Sequence, residues 1–373
     1  MSTSTTTTPI ALGARTYPVI SGVGVLAGTM AQIKRLCPAG RLFCVSDETV
    51  AGLHMARLER ACADTGIALH ALVIPPGEAQ KSFARLEALC GDLLAHNIER
   101  GEAIAAFGGG VIGDLAGFAS AILKRGTNLV QMPTTLLAQV DSSVGGKTAI
   151  NMPAGKNLVG AFHQPALVIA DQDYLRTLPG RQMRAGYAEI VKAAALADAG
   201  FFGWLEANGA NALAGDESAL AEAIARSIAI KADIVAEDER EHGKRALLNL
   251  GHSFGHALET LAGYDGALLH GEAVAAGMAT AFAWAVHLGL CPAAEQRRLE
   301  THLRACSLPD GLNAAPGGPY TASAMLRIML NDKKNRAGTL RLVLPHSAGE
   351  TIVHETRDLK ALETFLAAAL ERR

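Results

Sequence analysis

The chain has 373 residues, long enough for two ordinary hydrophobic cores. Apolar residues make up 49% and charged residues 19%, which excludes a disordered chain. A net charge of −2 gives no case for nucleic acid or an anionic membrane as partner, so any anion must be met by local lysine and arginine clusters.

Residues 1–10 are polar and repetitive, with no basic or apolar region of a secretion signal, and read as a disordered tail. Six cysteines (37, 44, 62, 90, 291 and 306) are scattered without a C-x-x-C pair, which suits reduced thiols in a cytoplasmic protein. Short apolar runs then predict strands at Arg41–Ser46, Ala71–Ile74, Ala103–Phe107, Asn128–Met132 and Ala166–Ala170. Helical patterns lie between several of them, as at Ser82–Asn97. This alternation predicts a βαβ sheet domain over 11–180.

Gly108-Gly-Gly-Val-Ile-Gly113 follows the third of these strands and leads into a helical run. Its glycines let a backbone approach a pyrophosphate at a helix N-terminus, or simply make a tight turn. No acidic ribose reader follows at the usual distance, so an ordinary Rossmann fingerprint is not present. Asp141-Ser-Ser-Val-Gly-Gly-Lys-Thr148 fails as a P-loop, because Asp141 stands where that motif needs glycine. What remains is two glycine turns, one presenting Lys147 and the other Lys156 and Asn157. They suit a small, doubly anionic substrate, or a solvated lysine pair.

After Leu178-Pro179-Gly180 the texture changes to alanine-rich helical patterns, through Gly289 and again from Ala293 to Ala305. A strand-like pair follows near Leu340–Leu344. The apolar stretch Gly271–Leu290 contains Glu272 and His287 and reads as a buried helix, not a membrane span. Three of the twelve histidines fall within this half's Asn249-Leu-Gly-His252-Ser-Phe-Gly-His256 and His270-Gly-Glu272. His252 and His256, four apart at a helix start, share one face. Such a cluster proposes a catalytic metal site with a further ligand elsewhere, or else histidines that cap helices or bond within a core.

Taken in order over residues 40–345, these segments resemble the 3-dehydroquinate synthase family. The resembling residues are Gly108–Asp114, Pro133–Thr148, Gly155-Lys156-Asn157, Ala188-Glu189-Ile-Val-Lys192, Asn249–His256, His270-Gly-Glu272 and Asp332-Lys333-Lys334. The resemblance implies a Rossmann-like α/β NAD-binding domain, followed over 181–373 by a mainly helical metal- and substrate-binding domain. It also implies NAD, zinc or cobalt, and a small sugar phosphate as substrate. That substrate is 3-deoxy-D-arabino-heptulosonate 7-phosphate, and the products are 3-dehydroquinate and phosphate.

By the same resemblance the metal ligands fall on Glu189, His252 and His270, and His256 passes to the substrate phosphate. NAD contacts fall on Glu78, Lys81, Gly110, Val111, Ile112, Gly113, Asp114, Thr134, Thr135, Tyr174, Leu175, Arg176 and Thr177. Asp141, Lys147 and Lys156 serve the substrate and adjoin the cofactor. Asn157, Lys192, Lys231, Arg245 and Asn249 complete the substrate set. Independently of the resemblance, clustered cations tend to depress lysine pKa values, which makes Lys192 or Lys231 a candidate for proton transfer, with the departing phosphate as the alternative. Lys333 or Lys334 meets phosphate or carboxylate. Arg125 reaches a neighbouring subunit's site, which implies a homodimer.

Two features depart from the family pattern: Leu123 stands where an aromatic residue is usual, and the His256–His270 loop is one residue longer. Three other readings compete. They are a metal-dependent polyol or glycerol-phosphate dehydrogenase, another sugar-phosphate cyclase making an aminocyclitol or valiolone ring, and a non-catalytic nucleotide-binding protein.

Overall fold

A computed structural model describes residues 5–331 and 339–371, so the predicted site residues Lys333 and Lys334 lie outside the described residues. The chain divides into two compact units, 1–179 with 231–240, and 180–230 with 241–373.

The first unit is built on strands β1 (Thr6–Ile10), β2 (Tyr17–Gly22), β3 (Arg41–Asp47), β4 (Ala68–Ile74), β5 (Ala103–Gly108), β6 (Asn128–Pro133), β7 (Lys147–Met152), β8 (Gly155–Phe162) and β9 (Leu167–Asp171). Its helices are α1 (Val25–Arg35), α2 (Glu48–Thr65), α3 (Phe83–Ala95) and α4 (Gly110–Ile122). Seven strands form one sheet in the order β1-β2-β9-β6-β5-β3-β4, parallel except for β1.

Both faces of this sheet are covered, which explains the near-continuous apolar runs. Successive residues alternate between two cores: Leu42 and Cys44 of β3 join Met30 and Leu58 on one face. Phe43 and Val45 join Leu86 and Leu115 on the other. Helix ends follow local chemistry. The Asp47 carboxylate accepts from Thr49 and Val50 N–H at the start of α2, and Ser82 Oγ accepts from Arg85 N–H at the start of α3.

One sequence reading is overturned here. Residues 6–10 are not a tail: they form β1, antiparallel to β2, with Ile10 fully buried. The threonine repeat concealed a half-buried edge strand, since threonine is a β-former despite its polarity. The two glycine turns that present Lys147 and Lys156 are present, with Gly145 and Gly146 at φ +94° and +67° and Gly155 at +152°, and the strands that follow them pair as an antiparallel hairpin, β7–β8. Asn157, within β8, has φ +55°.

The second unit contains α5 (Gly180–Ala197), α6 (Ala199–Leu213), α7 (Glu217–Glu237), α8 (His252–Ala262), α9 (His270–His287), α10 (Ala293–Ala305), α11 (Ala322–Leu330) and α12 (Leu359–Glu371). The end of α7, from Lys231, groups with the first unit. A single hairpin, β10 (Leu340–Ser347) with β11 (Glu350–Thr356), completes the described elements. Helix α9 is buried around most of its circumference, as its apolar sequence requires. Among the described residues no helix is long and apolar enough to cross a membrane.

Candidate active site

In the helical unit three helices approach one another through glycines. A Cβ on Gly277 of α9 would lie 2.1 Å from Gly251 O, and one on Gly255 of α8 would lie 2.9 Å from Ala273 O. A Cβ on Gly271 would lie 1.8 Å from Ala185 O of α5. No side chain fits at these crossings, so the backbones meet and carry their neighbours together. The neighbours are His252 and His256 on α8, His270 on α9 and Glu189 on α5.

Glu189 Oε1 lies 3.8 Å from His252 Nε2 and 3.5 Å from His270 Nε2. Ligand atoms of these three residues all fall within 4.8 Å of one another. The Glu189 side chain is 1% exposed, and its Oε2 is 2.5 Å from Lys192 Nζ, one turn along α5. His252 Nδ1 faces the Leu250 carbonyl at 3.2 Å. His270 Nδ1 faces Glu259 Oε2 at 3.0 Å. Both acceptors place the ring proton on Nδ1, an assignment made from the partners, and so turn the Nε2 lone pairs toward Glu189.

This donor set fits a divalent metal: two imidazoles and a carboxylate leave coordination positions for substrate oxygens. Burial, reinforced by Lys192, lowers the His252 pKa and keeps that ring in its neutral, ligating form. Burial would also lower His270, yet Glu259 and Glu189 outweigh it and raise the pKa to about 10. Two carboxylates, Glu189 and Glu259, thus flank the His270 ring, and a divalent cation at Nε2 would answer their charge. A second grouping, His256 with Glu259 and His270, also lies within ligand range. It suits a metal less well, because the Glu259 oxygen is already turned to the His270 N–H and His256 is exposed.

Around the cluster, Arg245 is 2% exposed. Asn249 donates to Glu241 Oε1 at 2.7 Å and to the Ala246 carbonyl at 3.1 Å. The His256 ring centroid is 5.2 Å from that of His252 and 6.0 Å from that of His270.

In the sheet unit the glycine loop leaves the carboxyl end of β5, between β3 and β6. The connection from β3 runs out to β4 and that from β5 runs the other way to β6, so the loop lies at a topological switch point, where open α/β sheets bind ligands. Gly109 caps α4 without a side-chain hydrogen bond, leaving the N–H groups of Gly110, Val111 and Ile112 at the helix start. A Cβ on Gly109 would come 3.0 Å from Thr135 Cγ2, and one on Gly110 3.4 Å from Ser142 Oγ. Thr134 Oγ1 and the Tyr174 hydroxyl are buried with no hydrogen-bond partner among the described residues. A backbone cradle at a helix N-terminus, with buried donors beside it, fits a dinucleotide pyrophosphate.

A polar knot around the buried Lys81 joins residues distant in sequence. Lys81 Nζ donates to Asp114 Oδ2 at 2.7 Å and Asn157 Oδ1 at 2.5 Å, with Glu78 Oε1 at 3.6 Å. Desolvation tends to lower the Lys81 pKa, but Asp114 and Glu78 overcome it and hold the ammonium charged. Asp114, conversely, is raised by burial against the pull of Lys81. Lys231 Nζ donates to Asp141 Oδ1 at 2.7 Å and also to the Asp141 carbonyl. Thr177 Oγ1 donates to the Tyr174 carbonyl, while Leu175 is buried and the Arg176 guanidinium sits 3.3 Å from Asp173.

Lys147 and Arg125 are exposed and Lys156 is half-buried. Arg125 stands in an unusual backbone: Lys124, Arg125 and Gly126 have φ of +52°, +64° and +116°. The bend is pinned by Thr127 N–H to the Ser120 carbonyl at 3.0 Å and Ser120 Oγ to the Thr127 carbonyl at 3.1 Å.

Sequence reasoning overlooked two residues that organise these groups. Glu259 follows His252 by seven positions, two helical turns, so helix phase alone puts it on the same face. Asn151 donates to Glu78 Oε1 at 2.8 Å and accepts from Asn157 N–H at 2.9 Å. Only the hairpin register could have revealed it.

The chain is similar to two solved cyclases. One is ValA, the 2-epi-5-epi-valiolone synthase of Streptomyces hygroscopicus subsp. jinggangensis 5008, solved with NAD+ and Zn2+ bound. It shares 30% identity with a TM-score of 0.86, over 96% of this chain and 97% of that one. The other is 2-deoxy-scyllo-inosose synthase, complexed with carbaglucose-6-phosphate, NAD+ and Co2+, at 26% identity and a TM-score of 0.85. Its match covers 98% of this chain and all of the other. The architecture is therefore that of the sugar-phosphate cyclases.

Residues 71–185 match the 3-dehydroquinate synthase N-terminal family and 186–335 its C-terminal counterpart. A 3-dehydroquinate synthase of Ruegeria pomeroyi is 49% identical over 364 residues, 98% of each chain. The chain belongs to the 3-dehydroquinate synthase family.

Proposed function

We propose that the chain converts 3-deoxy-D-arabino-heptulosonate 7-phosphate to 3-dehydroquinate and phosphate. The convergence of Glu189, His252 and His270 beside Lys192 carries the reading, together with near-full-length similarity to curated 3-dehydroquinate synthases. Bound NAD would supply reversible hydride acceptance, and zinc or cobalt held by Glu189, His252 and His270 would supply Lewis-acid polarisation of the substrate oxygens. The net reaction is a lyase reaction, because the hydride is restored before ring closure.

The chain's own residues position charge and exclude misalignment. Glu189, His252 and His270 hold the metal; Gly110 to Asp114, Thr134, Thr135 and Tyr174 to Thr177 hold NAD, with Glu78 and Lys81 bracing them. Lys147, Lys156, Asn157, Arg245, Asn249 and His256 meet the carboxylate and phosphate with charge-assisted bonds, stronger than neutral ones. Lys192 and Lys231, each held beside a carboxylate, are the candidates to relay a proton at the reacting carbon. Exposed Arg125 completes a neighbouring subunit's site in a cytoplasmic homodimer.

The test supplies the heptulosonate phosphate with catalytic NAD and zinc and follows phosphate release. Multiple turnovers without net NADH support the reading. Stoichiometric NADH instead indicates a polyol-type dehydrogenase. Bound nucleotide without turnover indicates a binding protein, and inactivity here with turnover of another sugar phosphate indicates a different cyclase. Light scattering at assay concentration tests the homodimer.

A further inference from the structure

Of the two imidazoles turned toward Glu189, one is backed by a neutral group and the other by a charge. His252 Nδ1 lies 3.2 Å from the Leu250 carbonyl. His270 Nδ1 lies 3.0 Å from Glu259 Oε2, a carboxylate whose side chain is 5% exposed. Glu259 sits on α8 in the row Ala257-Leu258-Glu259, all buried. Its partner is the first residue of α9, brought within reach by the Gly255 and Gly277 contacts. A carboxylate buried at a helix crossing and aimed at one ring nitrogen is costly unless that interaction serves a purpose.

We propose that Glu259 is the positioning residue of the metal centre: it fixes the Nδ1–H tautomer of His270, aims Nε2 inward and makes that imidazole the stronger donor of the pair. The inference rests on the Glu189–His252–His270 reading of the site. Outer partners of this kind typically account for about 10–100-fold in metal affinity. The competing role, Glu259 as a direct ligand with His256 and His270, would require His270 to ligate through Nδ1, the nitrogen nearest Glu259.

The test titrates metal-stripped protein with cobalt(II) against a competing chelator, reading the d–d absorption for the unaltered chain and for Glu259→Gln, Glu259→Asp and His256→Ala. Glu259→Gln is expected to bind cobalt roughly 10–100-fold more weakly. Its spectrum is expected to keep the native coordination, with Glu259→Asp recovering part of the affinity and His256→Ala none of the loss. Native affinity in Glu259→Gln overturns the proposal. So does a changed coordination spectrum accompanied by metal loss in His256→Ala, which makes Glu259 a ligand.

A measurement on the unaltered protein guards against a variant that fails to fold. Long-range 1H–15N spectra of the zinc-loaded chain should show His270 protonated at Nδ1 and ligated at Nε2; ligation at Nδ1 overturns the proposal. If the unaltered chain binds no cobalt, the metal reading itself fails. Cobalt binding that is indifferent to Glu259 sinks only this inference.

Discussion

The glycine loop of the sheet unit and the histidine cluster of the helical unit use glycine for opposite ends. At Gly109 and Gly110 the missing side chain leaves backbone N–H groups open at the start of α4, so the recognition surface is the main chain itself. At Gly251, Gly255 and Gly277 it lets helices touch, and the recognising groups are neighbouring side chains on rigid elements. The first arrangement depends on a strand end and a helix dipole. The second depends on the fit of one helix against another, and a local defect there displaces every ligand together.

The sharpest way to break this contrast is within the cluster. His252→Ala is expected to lose bound metal, read by atomic absorption, and to lower turnover by roughly 10³-fold or more, the several kcal/mol a Lewis acid supplies. His256→Ala should keep its metal and still lose turnover. Metal loss in both would return His256 to the ligand set.

Next in size is the polar knot around Lys81. Lys81→Met leaves Asp114, whose side chain is 18% exposed, without its cation and should cost about 3 kcal/mol in denaturant unfolding, the low end for a buried pair. A loss within measurement error would show that the knot is solvated and that the loop does not depend on it.

Gly277→Ala tests the helix contact. Its new methyl would meet Gly251 O at 2.1 Å, and overpacking of this kind costs about 1–3 kcal/mol. Metal affinity should fall in parallel with the thermal midpoint. Destabilisation with native metal affinity would separate the crossing from the ligands.

The smallest effect is expected at Thr134, whose buried hydroxyl has no partner among the described residues. Thr134→Val should leave stability unchanged or slightly raised, since it removes an unsatisfied polar atom. It should also weaken NAD binding about tenfold, equivalent to about 1.4 kcal/mol, by calorimetry. Unchanged NAD affinity would remove Thr134 from the cofactor set.

Much of the sheet was legible because its central strands are buried on both sides. Arg41–Ser46, Ala103–Phe107, Asn128–Met132 and Ala166–Ala170 stand out as apolar runs, and they became β3, β5, β6 and β9. The strands that escaped include the edge strand β1, its interior neighbour β2 (Tyr17–Gly22), whose apolar run is interrupted by proline, serine and glycine, and the hairpin β7–β8. Thr6–Ile10 hides behind hydroxyls, and Gly155–Phe162 exposes half its side chains. In the histidine cluster, His252 and His256 were visible as a helical pair. Glu189, more than sixty residues earlier, is joined to them only by the packing of α5 against α9, which no local period encodes. The resemblance to a family supplied Glu189. Nothing in that resemblance supplied Glu259, whose partner depends on where the loop after α8 returns.

The segment 231–240 has a consequence for how the protein is made. It belongs with residues 1–179, where Lys231 holds Asp141 and Glu239 holds Arg15 at 2.5 Å. During translation the sheet unit therefore remains incomplete until Arg240 has left the ribosome, by which time the first helices of the other unit have already emerged. A gene cut at residue 180 would yield neither unit whole; the seam in the folded protein is not a seam in its reading frame.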